Sequence, residues 1–243
     1  MSGIDEMPPR DIARRGALFL DFDGTLVEIA PTPDGITVPS SLPGLLARLA
    51  SVTRGATALI SGRTVETLDR FLAPARLPAA GGHGAELRRT PGGSLEHAAT
   101  PEVPGPWLAI ADTLAASHPG ALFERKPHGF TLHARGCPPA LPVFADALSE
   151  LVAADDRFAL LHAHMAVEIR PAATDKGRAL VSLMLQPPFA GRVPIFVGDD
   201  VTDEDAIAAA ESLGGRGFRV ADRFGTPSGV RAWLEAIAAE GEA

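Results

Sequence analysis

The sequence has one cysteine, no tyrosine, two lysines and no long apolar run. The single Cys137 excludes a disulfide within the chain, which fits a reducing compartment. No apolar run approaches the ~20 residues that a membrane-spanning helix needs. Residues 1–16 carry charges throughout and lack the apolar core of a signal peptide. These absences predict a soluble cytoplasmic protein that does not enter a membrane.

Positive charge is also scarce in this chain. Its 243 residues include 22 lysines and arginines against 30 aspartates and glutamates, a formal net charge of -8. This balance argues against nucleic acid or an anionic membrane surface as a partner, but not against a small phosphorylated substrate, which meets a local field. Lys126 and Lys176 can mark places where a compact ammonium is required and a planar guanidinium does not fit, with chance as the alternative. The oligomeric state is left open.

Strand and helix signals alternate at both ends of the chain. Short apolar runs predict strands, and apolar residues at helical spacing predict helices. The predicted strands are 17–22, 57–61, 193–200 and 217–221, and the predicted helices are 42–51, 64–73, 202–213 and 228–240. Such alternation predicts an α/β protein with a Rossmann-like parallel sheet that is covered on both faces.

The middle of the chain has a different pattern. A Pro/Gly-rich stretch at 91–106 precedes strand pairs with helices between them, which indicates a compact α+β insert. The predicted strands are 121–126, 130–135, 158–162 and 166–170, and the predicted helices are 107–117 and 142–154. We therefore predict a core domain formed by residues 1–87 and 173–243, with an inserted domain at 88–172.

The segment ALFLDFDGTLVE ends a predicted strand with two like charges, Asp21 and Asp23. Alternation along a strand would place both side chains on the same side. Because carboxylates repel each other where they are partly desolvated, a bound cation such as Mg²⁺ would offset the cost. A carboxylate can also attack phosphorus, and a second one can act as general acid and then general base. An acidic turn or a calcium-type loop is the alternative.

The segment VGDDVTDED supplies further carboxylates. Asp199 and Asp200 end another predicted strand, and Asp203 lies at the start of the next helix. Because ligands bind at the carboxyl ends of parallel strands, we expect these groups near Asp21 and Asp23. An acid-rich helix N-terminus is common and is the alternative. Four or five converging carboxylates predict a Mg²⁺ site, which also suits phosphoryl chemistry.

Two shorter motifs add a hydroxyl and a cation. Ser61, in ALISGR, ends a predicted strand and Gly62 follows it, and hydroxyl and backbone N–H groups there suit phosphate oxygens, although SGR alone is more often a simple helix start. Lys176, in ATDKGRALVSL, lies near a helix start, where the helix dipole disfavours a cation. Its ammonium can neutralise Asp21 and stabilise a transferring phosphoryl group, although exposure to solvent is the commoner fate of a lysine.

In that order, DFDGTLV, SGR, DKG and GDDVTDED resemble the four motifs of the haloacid dehalogenase superfamily of phosphohydrolases. The resemblance implies that Asp21 attacks phosphorus, and that Asp23 protonates the leaving oxygen and then activates water. It also implies that the inserted domain is the superfamily's larger type of cap on a hydrolase core. The implied Mg²⁺ ligands are Asp21, Asp199 and the backbone carbonyl of Asp23, with Asp200 and Asp203 in support. Ser61, Gly62 and Lys176 are implied to bind the phosphoryl oxygens.

Three further segments, GGHGAE (81–86), FERKPHGFTLHAR (123–135) and AVEIRP (166–171), resemble the trehalose-6-phosphate phosphatases. The resemblance implies a small sugar phosphate as the partner. Phosphate can pair with a lysine or an arginine of the cap, and glutamates can accept hydrogen bonds from sugar hydroxyls. The residues implied to contact the substrate are Arg63, His83, Glu124, Lys126, His133, Arg135 and Glu168.

Alternatives to this assignment stay open. Without the core motifs, an amphipathic hairpin with a charged solvent face would be the preferred interpretation of the segment 123–135. The family often has a Gly-Lys turn where this chain has HAHMA (162–166), which leaves His162 and His164 as expected solvated residues, and Arg170 is expected to be structural. Another sugar phosphatase, a sugar phosphomutase and a non-catalytic sugar-phosphate sensor remain the rival functions.

Overall fold

The computed structural model describes residues 7–242. The chain divides into two compact units. The first combines the residues up to Ala98 with those from Asp175 onward, and the second is Ala99–Thr174. Across residues 7–242, no helix combines the length and the apolar character needed to cross a bilayer.

Strands and helices alternate through the described chain. The strands are β1 Gly16–Leu20, β2 Thr57–Ile60, β3 Ala79–Gly81, β4 Glu86–Arg88, β5 Glu96–His97, β6 Leu122–Lys126, β7 Gly129–His133, β8 Phe158–Ala163, β9 Ala166–Pro171, β10 Val193–Gly198 and β11 Arg216–Arg219. The α-helices are α1 Pro9–Arg15, α2 Leu42–Val52, α3 Val65–Leu72, α4 Gly105–Ser117, α5 Leu141–Ala153, α6 Lys176–Met184, α7 Glu204–Ser212, α8 Val220–Arg223 and α9 Pro227–Glu242. Single 3-10 turns lie at Pro33–Gly35, Gly82–Gly84, Pro138–Ala140 and Val201–Asp203.

The first unit is built on a seven-stranded sheet with the order β11-β10-β1-β2-β3-β4-β5. The five strands from β11 to β3 are parallel, and β4 and β5 add two antiparallel strands at the β3 edge. The predicted α/β class with a parallel core sheet is confirmed. The chain order reverses between β1 and β10, which is where open α/β sheets form their ligand-binding crevice.

Both faces of this sheet are buried. Leu18 and Leu20 of β1 pack on one face with side chains of α1, α2, α3 and α9, whereas Phe19 packs on the other face with α6 and α7. Because neither face meets solvent, all five residues of β1 are buried and the strand is a continuous apolar run. The edge of the sheet where the strands end is therefore the place for polar side chains.

The second unit is an antiparallel four-stranded sheet with the order β6-β7-β9-β8. Its core joins one face of the sheet to α4 and α5, through Trp107, Phe130, Phe144 and Ile169. The predicted strands and helices of this segment all appear, with shifts of one or two residues at their ends.

The predicted start of the insert at residue 88 is wrong, because the core sheet continues beyond it. β4 and β5 pair with each other and with β3, so they belong to the first unit, and the second unit begins at Ala99. Its end at Thr174 lies close to the predicted 172. The sequence between β4 and β5 contains TPGG, which is typical of a turn. For this reason the sequence did not reveal the two short strands on either side.

Candidate active site

The first unit places a buried lysine between two aspartates. Lys176 is the first residue of α6, and Asp175 caps this helix by accepting a hydrogen bond from the Arg178 N–H at 2.6 Å. Lys176 Nζ donates to Asp21 Oδ1 at 2.8 Å and to Asp203 Oδ1 at 2.6 Å. Burial alone would lower the pKa of Lys176, but the two carboxylates outweigh it and raise this pKa. Lys176 is therefore a charged ammonium.

Three carboxylates converge at the ends of β1 and β10. Asp21, Asp199 and Asp203 each offer an oxygen within 4.8 Å of the others. Burial, followed by the charges of Asp203 and Asp199, raises the pKa of Asp21 well above its usual value. Burial and the charge of Asp203 raise the pKa of Asp199 to about 7. Three carboxylates against the single ammonium of Lys176 leave an excess of negative charge, and carboxylate oxygens suit Mg²⁺, so the group fits a divalent cation.

Gly24 shapes the loop that follows β1. Its φ is +72°, in the left-handed region that favours glycine. A Cβ at this position would lie 2.0 Å from Asp199 Oδ2. The next residue, Thr25, donates from Oγ1 to Asp199 Oδ1 at 3.4 Å. The DGT sequence therefore lets this loop lie directly against the Asp199 carboxylate.

Asp203 and Asp200 stabilise the backbone after β10. Asp203 Oδ2 accepts hydrogen bonds from the N–H groups of Asp199 and Asp200 at 3.0 and 3.1 Å. Asp200 Oδ1 accepts from the Val201 N–H at 2.7 Å, and the two aspartates form a capping box at the turn Val201–Asp203. Asp200, which the sequence placed around the metal, is thus a helix cap outside the group of three carboxylates.

The Asp23 side chain has a different partner from Asp21. Arg63 donates from Nε and Nη2 to the two oxygens of Asp23 at 2.6 and 2.7 Å. The same Nη2 donates to the Pro33 carbonyl at 2.7 Å, and the guanidinium lies 5.1 Å from the ring centre of Phe71. A bidentate arginine that is itself held on two other sides fixes the plane of the carboxylate. Asp23 also lies outside the group of three carboxylates.

The loop after β2 brings Ser61 and Gly62 beside His83. Ser61 is buried, its Oγ accepts from the Arg63 N–H at 3.2 Å, and its carbonyl accepts from the His83 N–H at 3.0 Å. His83 is also buried and has a φ of +55°, which is uncommon for any residue other than glycine. A Cβ at Gly62 would lie 2.7 Å from His83 Nε2. Glycine at position 62 therefore leaves the space that the imidazole occupies.

Glu86 sets the start of α3 and was not among the predicted site residues. It is 5% exposed, and its Oε2 accepts from the Val65 N–H at 2.7 Å. Thr64 caps the helix, since its Oγ1 accepts from the Thr67 N–H at 3.2 Å. Protein groups therefore accept hydrogen bonds from both of these amides, Val65 N–H and Thr67 N–H. The sequence signal for a structural role of Glu86 was its place in the glycine-rich segment GGHGAE, because a carboxylate that becomes buried needs a hydrogen-bond partner.

The second unit carries a row of polar side chains on the face of its sheet opposite α4 and α5. Glu124, Thr131 and Glu168 stand in register on β6, β7 and β9. Lys126 Nζ and Thr131 Oγ1 donate to the same oxygen of Glu168, at 2.5 and 3.0 Å. His133 Nε2 lies 2.7 Å from Glu124 Oε2. Burial alone would raise the pKa of Glu124, but the hydrogen bond from His133 and the charge of Lys126 hold it below its usual value.

Four of the five substrate contacts predicted in this unit are therefore neighbours on one sheet face, and Thr131 is a member of the row that the sequence analysis missed. The fifth, Arg135, is half-buried in the turn after β7. His162, on β8, and His164, in the turn that follows, are exposed. Arg170 donates from Nη1 to the Pro171 carbonyl at 3.4 Å.

Comparison with known proteins gives the family. The model of the trehalose-phosphatase family matches residues 19–228. The chain is 37% identical over 238 residues to the trehalose-6-phosphate phosphatase of Escherichia coli (strain K12), a match covering 93% of this chain and 88% of that protein. It is 42% identical over 206 residues to a probable trehalose-phosphate phosphatase of Sinorhizobium fredii (strain NBRC 101917 / NGR234), covering 84% and 77%. The structure of the C-terminal domain of C. albicans trehalose-6-phosphate phosphatase has a TM-score of 0.75 at 20% identity, covering 95% of this chain and 94% of that one.

The family match and the two relatives define the chain as a phosphatase. Within that class, the chain belongs to the trehalose-phosphatase family. It is a phosphoric monoester hydrolase, as the sequence motifs predict.

Proposed function

We propose that the protein hydrolyses trehalose 6-phosphate to trehalose and phosphate, with Mg²⁺ and through an aspartyl-phosphate on Asp21. The observation that carries the chemistry is the buried Asp21 carboxylate, which lies 2.8 Å from the Lys176 ammonium and beside Asp199. The similarity to phosphatases named for this substrate supports the choice of sugar. The cytoplasmic location stays a prediction from the sequence.

In the first step, Asp21 attacks phosphorus and the bond from phosphorus to the sugar oxygen breaks. The Lys176 ammonium, already in contact with Asp21, offsets negative charge on the transferring oxygens. Ser61 and Gly62 bind those oxygens in the loop after β2. Because Lys176 and Ser61 are buried, water only weakly screens the ammonium charge and the hydroxyl dipole.

Asp23 moves the protons in both steps. It donates one to the leaving sugar oxygen and then takes one from the water that attacks the phosphorus of the aspartyl-phosphate. Arg63 binds both oxygens of this carboxylate and fixes its orientation. We also assign Arg63 and His83 as residues that contact the substrate.

Asp21 and Asp199 would hold Mg²⁺, together with the Asp23 backbone carbonyl, and Asp203 would hold the loop that carries Asp199. A divalent ion there would neutralise the excess of carboxylates and the charge of the phosphoryl group. The oxygen-only donor set and the raised pKa of Asp199 support this assignment.

The polar row of the second unit is assigned to the sugar. Glu124 and Glu168 are acceptors for sugar hydroxyls, and Lys126, His133 and Arg135 are donors. Because Lys126 is paired with Glu168, and His133 is hydrogen-bonded to Glu124, the row presents both acceptors and donors. Such a surface suits a neutral disaccharide.

Phosphate release with Mg²⁺ tests the substrate. The panel is trehalose 6-phosphate, sucrose 6-phosphate, glucose 6-phosphate and mannosyl-3-phosphoglycerate. We expect trehalose 6-phosphate to have the highest kcat/KM. A preference for another member would refute the assignment of the sugar-binding row, and release from none of them would favour a mutase or a sensor.

Asp21→Asn tests the intermediate. We expect it to abolish turnover and to keep the circular dichroism spectrum of the wild-type protein, whereas Asp112→Asn, on the exposed side of α4, keeps full activity. Borohydride added during turnover should reduce the acyl-phosphate and convert Asp21 to homoserine, detectable by peptide mass spectrometry. Appreciable activity of Asp21→Asn would remove the proposed nucleophile.

A further inference from the structure

Thr131 is a polar residue in an almost fully buried position. It is 3% exposed and lies on β7, between β6 and β9 in the four-stranded sheet. Its register partners are Glu124 on one side and Glu168 on the other. A hydroxyl in such a position has to find a hydrogen-bond partner. Thr131 Oγ1 donates to Glu168 Oε2 at 3.0 Å.

Glu168 is buried as well and receives two donors on one oxygen. It is 6% exposed, and the Lys126 ammonium donates to the same Oε2 at 2.5 Å. The lysine supplies the charge, but its ammonium ends a flexible stem of four carbons. Thr131 is β-branched, so its χ1 angle is stiff, and it is fixed in register with Glu168. Two donors on one oxygen, one of them rigid, fix the plane of the carboxylate.

We propose that Thr131 is a positioning residue for sugar recognition, which acts by holding the Glu168 carboxylate in the orientation that binds a sugar hydroxyl. This inference rests on the proposed function of the polar row. Thr131 itself does not contact the substrate in this proposal. Its hydroxyl fixes one oxygen of Glu168 and thereby the direction in which the other oxygen accepts.

Thr131→Val removes the donor and keeps the β-branched shape. We expect KM for the best substrate of the panel to rise about tenfold, the scale of losing one hydrogen bond to a charged group. The kcat value should stay within about twofold, because the contact is made equally in the ground state and the transition state. Thr131→Ser keeps the hydroxyl and should restore KM to within about twofold of the wild-type value.

A matched control is Thr57→Val. Thr57 is fully buried at the start of β2, and its Oγ1 lies 2.8 Å from Thr53 Oγ1. The substitution again removes a buried hydroxyl from a strand, so we expect a lower melting temperature with an unchanged KM. Should Thr131→Val fail to fold, Thr131→Ala removes the same hydroxyl without placing a methyl group in the buried position, and the same rise in KM is expected.

A double-mutant cycle shows whether Thr131 acts through Glu168. In the Glu168→Ala background, which removes the acceptor of the Thr131 hydroxyl, Thr131→Val should change KM less than threefold. The inference is overturned if Thr131→Val changes KM less than threefold in the wild-type background, if Thr131→Ser raises KM as much as Thr131→Val, or if the two substitutions are additive. The variants are compared on whichever sugar phosphate the wild-type protein hydrolyses best. If trehalose 6-phosphate is not the substrate, the substrate panel will therefore show it, and the ratios of variant to wild-type KM will not be affected.

Discussion

Asp199 should make the metal-free protein less stable as the pH rises. Its pKa is raised from an ordinary 3.8 to about 7 by burial and by Asp203, which corresponds to about 4 kcal/mol of unfavourable ionisation in the folded state. The folded protein keeps this proton up to about pH 7, whereas the unfolded chain loses it near pH 4. The stabilisation is therefore fully present below about pH 4 and is lost as the pH rises to about 7. Asp21 shifts in the same direction.

Asp199→Asn removes the ionisation. Urea unfolding in EDTA should show a wild-type free energy of unfolding that falls between pH 4 and pH 7.5, with Asp199 contributing up to about 4 kcal/mol of the fall and Asp21 adding to it. The fall for the variant should be smaller by the contribution of Asp199. At saturating Mg²⁺ the wild-type protein should regain about 3 kcal/mol at pH 7.5, and the variant should regain far less. Asp112→Asn, on an exposed face of α4, should follow the wild-type profile. An unchanged pH profile for Asp199→Asn, or equal stabilisation of both proteins by Mg²⁺, would refute this account of the carboxylate group.

Two further substitutions test other charged groups. Lys176→Arg keeps the charge but places a larger planar group at a position that is 3% exposed, so the rate of phosphate release should fall at least about a hundredfold. Retention of a tenth of the wild-type rate would show that a compact ammonium is not required. Asp69 accepts two hydrogen bonds from the buried Arg88 at 2.6 and 2.7 Å; partial burial raises its pKa, but the arginines outweigh this and lower it. Asp69→Asn should therefore lower the free energy of unfolding in urea by about 2 kcal/mol at pH 7. The difference from the wild-type protein should shrink as the pH falls through the lowered pKa of Asp69. A difference that does not depend on pH would contradict the role of the Asp69 charge.

The convergence of Asp21, Asp199 and Lys176 could be predicted because it follows from topology. Parallel strands end at one edge of the sheet, so side chains just after β1 and β10 have to lie near one another wherever they stand in the sequence. A lysine at the first position of a helix is also informative, since the dipole disfavours it without a compensating partner. These general rules place residues but do not pair them.

The pairings depended on local geometry that the sequence does not encode in any simple pattern. Asp199, Asp200 and Asp203 are all acidic and close in sequence, yet Asp200 binds the Val201 N–H and Asp203 binds Lys176. That choice follows from a single 3-10 turn after β10. The sequence GGHG likewise does not indicate that His83 has a left-handed backbone conformation, although its imidazole lies against Gly62.

The two units differ in how their charges are balanced, and the difference matches the two parts of the proposed substrate. In the first unit, Asp21, Asp199 and Asp203, once ionised, outnumber the ammonium of Lys176, so a cation that supplies positive charge favours both their ionisation and the binding of an anionic phosphate ester. In the second unit, Glu168 is paired with the Lys126 ammonium and Glu124 is hydrogen-bonded to His133, so the row can hydrogen-bond neutral hydroxyls without needing an ion. The requirement for Mg²⁺ should therefore lie in the chemistry of the first unit, and removal of the metal should abolish phosphate release while the binding of the uncharged disaccharide product persists.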